Sequence, residues 1–196
     1  MFEGEEANML ISKFKKENEE VSTAELESLL GLKLPEQYLI FLRKYNGGNT
    51  PNTNWTGKCK SDVRYFYGLN VGDKNRDIAH NLTYASVRDL IKQNKFPIAE
   101  NCSGDDFCLD CSDGSVWFVA HDSPLRRKIA DDFNSFIAGC ESKPIDDFAK
   151  KTPEEIERIM TEKGRGNIIT EGLRTAWKEQ YEKYKDMTQE EVIVEE

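Results

Sequence analysis

The chain is 196 residues long, which suits one domain with an appendage better than two full domains. With 27 Lys+Arg against 36 Asp+Glu its formal net charge is -9; such a chain, lacking a basic stripe, repels phosphate backbones, which disfavours nucleic acid and favours a basic protein partner. Its 3 Trp, 7 Tyr and 10 Phe exclude a disordered chain. No stretch approaches the roughly 18 apolar residues of a membrane span, and Met1 to Glu6 lacks the positive start of a signal peptide, so the expected location is the cytoplasm, away from membranes. The five cysteines (Cys59, Cys102, Cys108, Cys111, Cys140) are odd in number and fit reduced thiols.

Ala7, Leu10, Ile11 and Phe14 recur at helical spacing and predict an amphipathic first helix. Ser22 with Glu25 makes a capping box, with Val21 and Leu26 at staple positions, so a second helix starts near Thr23 and stops at Gly31. Pro35 opens a third, with Tyr38, Phe41, Leu42 and Tyr45 on its apolar face, and Asn46-Gly47-Gly48 ends it with residues that tolerate positive φ. Asn49 to Gly57 reads as a polar surface loop around Trp55. Strands are predicted over Val63 to Leu69 and Phe96 to Ala99, with a short helix at Val87, Leu90 and Ile91 between them. Asp106 to Cys111 and Val116 to His121 form a hairpin around Asp113-Gly114, a dipeptide suited to a tight turn. Ile129, Ala130, Phe133, Phe136 and Ile137 then read as a helical stripe starting near Ser123-Pro124.

The texture changes after Cys140. Residues 141–196 hold 10 Lys+Arg and 15 Asp+Glu, contribute -5 of the -9, and read as helix only. Thr152-Pro153-Glu154-Glu155 is a capping box with proline in the first turn, and Leu173, Trp177, Tyr181 and Tyr184 share one face of a last helix. That face is expected to pack on the same domain rather than to serve as a partner-binding helix. The expected organisation is therefore a domain over 1–140 and a helical extension over 141–196.

Three segments carry a family resemblance: "LESLLGLKLPEQYLIFLRKYNGG" (26–48), "FPIAENCSGDDFCLDCSDGSVWFVAHD" (96–122) and "IADDFNSFIAGC" (129–140). In order and spacing they resemble the SUKH superfamily, the Smi/Knr group of fungal cell-wall synthesis regulators and bacterial immunity proteins. The likeness covers about 26–140. It implies an α+β domain with helices on a mostly antiparallel sheet, and a protein-binding role. For a bacterial member it implies an immunity protein that neutralises a cognate toxin, often a nuclease; the alternative is an intracellular scaffold or regulator of the fungal type. It carries no catalytic residues onto this chain.

The residues with chemical potential support that reading. Cys102, Cys108, Cys111 and His121 echo a zinc set, but Cys108 and Cys111 are three apart on a predicted strand, so their sulfurs point to opposite faces. No metal or cofactor is expected. Ser103 or Cys108 with His121 and Asp105 lacks a nucleophile elbow, and no phosphate-binding glycine motif occurs, so no enzyme activity is expected. His121 reads as a strand-end histidine bonded to nearby polar groups. The candidate protein-binding residues are Trp55, standing alone in its polar loop, Tyr65 and Tyr67, which share a parity and are expected in the core, and Asp105, Asp106, His121 and Asp122, with Asp105 and Asp106 at an exposed strand entrance. Blocking of a basic toxin would be stoichiometric and steered by charge.

Overall fold

The computed structural model describes residues 8–14 and 22–194. Its elements run β1 (Leu10–Ile11), α1 (Thr23–Leu30), α2 (Glu36–Tyr45), β2 (Gly48–Asn49), β3 (Thr53–Trp55), β4 (Ser61–Asp62), β5 (Tyr65–Phe66), α3 (Ile78–Asn81), α4 (Ala85–Ile91), β6 (Lys95–Glu100), β7 (Asp106–Asp110), β8 (Val116–Val119), β9 (Arg126–Ala130), α5 (Phe133–Ala138), β10 (Cys140–Ser142), α6 (Pro153–Glu162), α7 (Glu171–Tyr184) and β11 (Glu190–Glu191). The chain divides into two compact units: residues up to Lys143 together with Glu190 onward, and Pro144–Gln189.

In the larger unit a six-stranded sheet has the order β2-β5-β6-β7-β8-β9, and every pairing in it is antiparallel. This is the α+β arrangement expected. The register places Phe66, Phe96, Phe107, Leu109 and Phe118 on one face, where α2 and α5 cover it. Their rings meet directly, with Phe41 and Phe133 centroids 5.3 Å apart and Phe107 and Phe136 5.2 Å apart. Opposite that layer, Tyr65, Glu100, Asp106 and Cys108 share the second face, and Leu90 of α4 packs there against Cys108 and Val119. A three-stranded sheet, β10-β3-β4, and a β1-β11 ribbon complete the unit.

Local chemistry sets several of these boundaries. Ser22 Oγ accepts from the Glu25 N–H at 3.3 Å, and Gly31 at φ 65 closes α1 by donating to Glu27 O. Asn46 ends α2 in the left-handed region, and its side-chain amide pairs with both backbone groups of Leu69. Next to it, a Cβ on Gly47 would lie 2.5 Å from the Tyr67 carbonyl, so only glycine lets the two segments approach. The hairpin turn is as predicted, with Gly114 at φ 80.

Four expectations are corrected. Leu10 and Ile11 are a strand paired with Glu191 and Glu190, not part of a helix; the eight residues from Ala7 to Phe14 are too short a window for helical spacing to decide, and here both Met9 and Ile11 are buried. Ala7 and Val21, invoked for that helix and the staple, lie outside the described residues. The stripe from Ile129 splits into edge strand β9 and helix α5, which starts where the Asp132 carboxylate accepts from the Ser135 N–H at 2.7 Å. Pairing with β8 overrides helical spacing, and the charges of Arg126, Arg127 and Lys128 suit an exposed edge. The loop over 49–57 contains β3, which pairs with β10 and β4.

Finally, the tail is not helix only: β10 and β11 flank the helical unit. Within that unit Thr152 and Glu155 form the predicted capping box, Ile156 is buried, and Arg174 grips Glu157 through two hydrogen bonds of 3.0 and 2.8 Å. Trp177, Tyr181 and Tyr184 are half-buried.

Candidate functional site

In an antiparallel sheet alternate turns share one end. The β6–β7 turn (101–105) and the β8–β9 turn (120–125) therefore lie together, and the β3–β4 turn joins them around a groove of about 740 Å³. Trp55, Asp62, Asn101, Asp105 and Leu125 are among its lining. Loops held on a rigid sheet are where binding residues concentrate.

Asn101 organises the β6–β7 turn. It is buried, its Oδ1 accepts from the N–H groups of Ser103 and Asp105 at 2.9 and 2.8 Å, and its Nδ2 reaches Ser61 Oγ and Asp105 Oδ2, each at 3.0 Å. Asp105 in turn ties down the β8–β9 turn: its Oδ1 accepts from the His121 N–H at 3.0 Å and lies 2.9 Å from His121 Nδ1. Burial works against the Asp105 carboxylate, yet the His121 and Asn101 hydrogen bonds hold its pKa below the ordinary value. The same hydrogen bond raises the His121 imidazole above its own. Asp122 is exposed beside them, and one ligand atom from each of Asp105, His121 and Asp122 falls within 4.8 Å of the others. Leu125, 44% exposed, supplies an apolar contact at the rim.

Behind this rim lies a second polar cluster. The Tyr67 hydroxyl is 3.0 Å from both Glu100 Oε2 and Asp106 Oδ1. It has one proton to donate, so it serves one carboxylate at a time. Burial, joined by the charges of Glu100 and Asp105 and opposed by the Tyr67 hydrogen bond, pushes the Asp106 carboxyl up to about 7.

The structure thus brings Asp105, His121 and Asp122 together on the groove rim and sets the other candidates differently. Tyr65 and Tyr67 are 3% and 6% exposed, in the core as their parity implied. Asp106 is not at an exposed entrance: it faces Tyr67 and Glu100, because its register opposite Glu100 turns it under the second face. Asp105 is half-buried by its own hydrogen bonds. Trp55 is the larger correction. It is 5% exposed, packs its ring 5.3 Å from Phe136 and donates Nε1–H to the Lys58 carbonyl. Strand alternation explains this, since Thr53 and Trp55 point inward while Asn54 points out. Asn101, Asp62 and Leu125 were missed; the Asn101-x-Ser103-Gly104 pattern is the Asx-turn signal that could have found the first.

Cys108 packs with Leu90 and Val119, whereas Cys111 packs on the main core, so the two thiols lie on opposite sides of the sheet as their odd separation predicts. Among the described residues no helix is long and apolar enough to cross a membrane.

The chain is 29% identical over 146 residues, 62% of this chain and 74% of the relative, to the SPbeta prophage-derived uncharacterized protein YokK of Bacillus subtilis (strain 168). A family model, the SMI1 / KNR4 family (SUKH-1), matches residues 18–139, a span that runs from α1 through α5 and contains both turns of the groove rim, and the chain therefore belongs to that family.

Proposed function

We propose that this protein is an immunity protein that binds a cognate toxin one-to-one and blocks it by covering its active site or an adjacent surface. Membership of the SUKH-1 family carries the reading, because bacterial members of the group commonly neutralise toxins without catalysis. The net charge of -9 adds a preference for a basic partner, a nuclease toxin for example, whose encounter would be speeded by opposite charge. The contact face is assigned to the groove rim, where Asp122, His121 and Leu125 stand exposed on turns that Asn101 and Asp105 hold rigid. Trp55, Tyr65, Tyr67 and Asp106 support that face from behind.

The test is to express the products of the genes flanking this one, alone and together with it. One of them should arrest growth, be rescued by this chain, and form a 1:1 complex by light scattering. If none is toxic, or none binds, the immunity reading fails and a scaffold of the fungal cell-wall-regulator type becomes the better account.

A further inference from the structure

The β6–β7 turn is closed at its base by two carboxyl groups. Glu100 ends β6, Asp106 begins β7, and the register sets them directly opposite each other; like charges at such a pair are destabilising. The Tyr67 hydroxyl lies between them, 3.0 Å from Glu100 Oε2 and from Asp106 Oδ1. A phenol donates one hydrogen bond, so both contacts are made only when the second carboxyl brings a proton of its own and donates it to the phenol oxygen. Carboxyl, phenol and carboxylate then form a chain with every hydrogen in place. Without that proton, one of the two contacts sets a negative oxygen against the lone pairs of the hydroxyl.

The surroundings decide which carboxyl holds the proton. Arg64 Nη1 is 3.8 Å from Glu100 Oε1, and Tyr65, whose ring meets Tyr67 edge-on at 5.4 Å, faces Glu100 as well. Asp106 has no such support. Asp105 and Cys108 flank it on its own segment, His121 faces it from the β8–β9 turn, and Lys95 and Arg126 act further along the face, on Cys108. The α4 residue packed on this face, Leu90, is apolar. Burial, with the charges of Glu100 and Asp105, outweighs the Tyr67 hydrogen bond and the His121 charge, so Asp106 is the carboxyl that keeps the proton.

Each member of the pair is one peptide link from a residue that fixes the rim. Glu100 precedes Asn101, whose Oδ1 accepts from the Ser103 and Asp105 N–H groups, and Asp106 follows Asp105, whose Oδ1 accepts from the His121 N–H. Repulsion across the base is therefore transmitted to both turns.

We propose that Glu100 and Asp106, bridged by Tyr67, are a proton-operated latch under the β6–β7 turn: one proton on the pair clamps the turn and orders the groove rim, and loss of that proton loosens it. Because folded Asp106 binds its proton more tightly than the unfolded chain does, the latch is closed in weakly acid solution and opens as pH rises through about 7.

Amide hydrogen exchange of the full chain, followed by NMR and expressed as protection factors so that the intrinsic pH dependence cancels, reads the latch directly. Protection at the Ser103 and Asp105 N–H groups should fall at least tenfold from weakly acid to weakly alkaline pH. The Phe136 N–H, bonded to Asp132 O in α5, should stay better protected than the rim throughout. Asp106→Asn supplies a donor at every pH and should hold rim protection level. His121→Gln should keep the parental fall, because the His121–Asp105 pair titrates separately. Infrared spectroscopy of the parent should show one protonated carboxyl that ionises over the same range, a readout that needs no variant to fold. The proposal is overturned if parental rim protection is level with pH, or if it follows Phe136 at every pH. It is equally overturned if the fall survives in Asp106→Asn, if it vanishes in His121→Gln, or if no carboxyl ionises in that range. The chain alone suffices for these measurements, so their outcome is independent of whether its partner is a toxin.

Discussion

On the inner face of the main sheet Phe136 meets Trp55, Phe66 and Phe107 with ring centroids 5.3, 6.1 and 5.2 Å away. At one end of the second face Tyr67, Glu100 and Asp106 share a single phenolic proton, and on the rim beside them Asp105 and His121 form an ion pair half open to water. The first region owes its strength to area and close packing, which are insensitive to pH and salt. The second owes its order to hydrogen bonds and charges, each of which responds to protons, ions or an approaching partner. The fold is thus anchored in one place and made responsive in another, on opposite sides of strands only one residue thick.

The largest effects should come from the packed region. Phe136→Ala should cost about 3–5 kcal/mol in chemical denaturation, since it opens a cavity among three rings. Trp55→Ala should cost a similar amount, about 3–5 kcal/mol, because the indole fills the space between Phe136 and the close-approaching Gly57 and Gly139. A Trp55→Ala protein of parental stability would mean that the indole is not part of the core.

A smaller but more distinctive effect belongs to Asp106. Its folded-state pKa of about 7 lies above the ordinary 3.8, so the folded state binds the proton more tightly than the unfolded chain. The resulting stabilisation is complete below the ordinary value and is lost as pH rises through about 7. At about 1.4 kcal/mol per tenfold change in proton affinity this amounts to a few kcal/mol at most. Asp106→Asn should keep a partner for Tyr67 and flatten the fall in stability between weakly acid and neutral pH. An unchanged pH profile would remove Asp106 from the cluster's titration.

On the rim the stability effects should be smallest. Asp122→Lys and Leu125→Lys are exposed changes that should shift stability by no more than about 0.5 kcal/mol. A larger loss would show that the rim is structural after all and would blur the contrast between the regions.

The same contrast governs what could be read from the sequence. The hairpin from Asp106 to Val119 was legible because apolar alternation and a Gly that needs positive φ act locally, and α2 because its apolar spacing and the Asn46-Gly47 stop do too. The edge strand β9 was not, since its identity depends on pairing with β8, a partner no local pattern in Arg126-Arg127-Lys128 reveals. Trp55 was misplaced for a related reason: its polar neighbours suggested a surface loop, and only the pairing of β3 with β10 shows which parity faces inward. At the candidate site Asp105, His121 and Asp122 were each picked out, but their meeting across two turns follows from antiparallel topology. Asp106, one residue from Asp105, points elsewhere because strands alternate.

The most direct test of the central claim, that the rim is the contact face for a basic partner, is the binding rate of the toxin identified by the rescue experiment. It should be measured against the parent chain, the Asp122→Lys, Leu125→Lys double variant, and Leu29→Lys on the exposed side of α1. The account predicts at least tenfold weaker binding for the rim variant, an association rate that falls as salt rises, and parental behaviour for Leu29→Lys. Full-strength binding by the rim variant, or loss confined to Leu29→Lys, would contradict it.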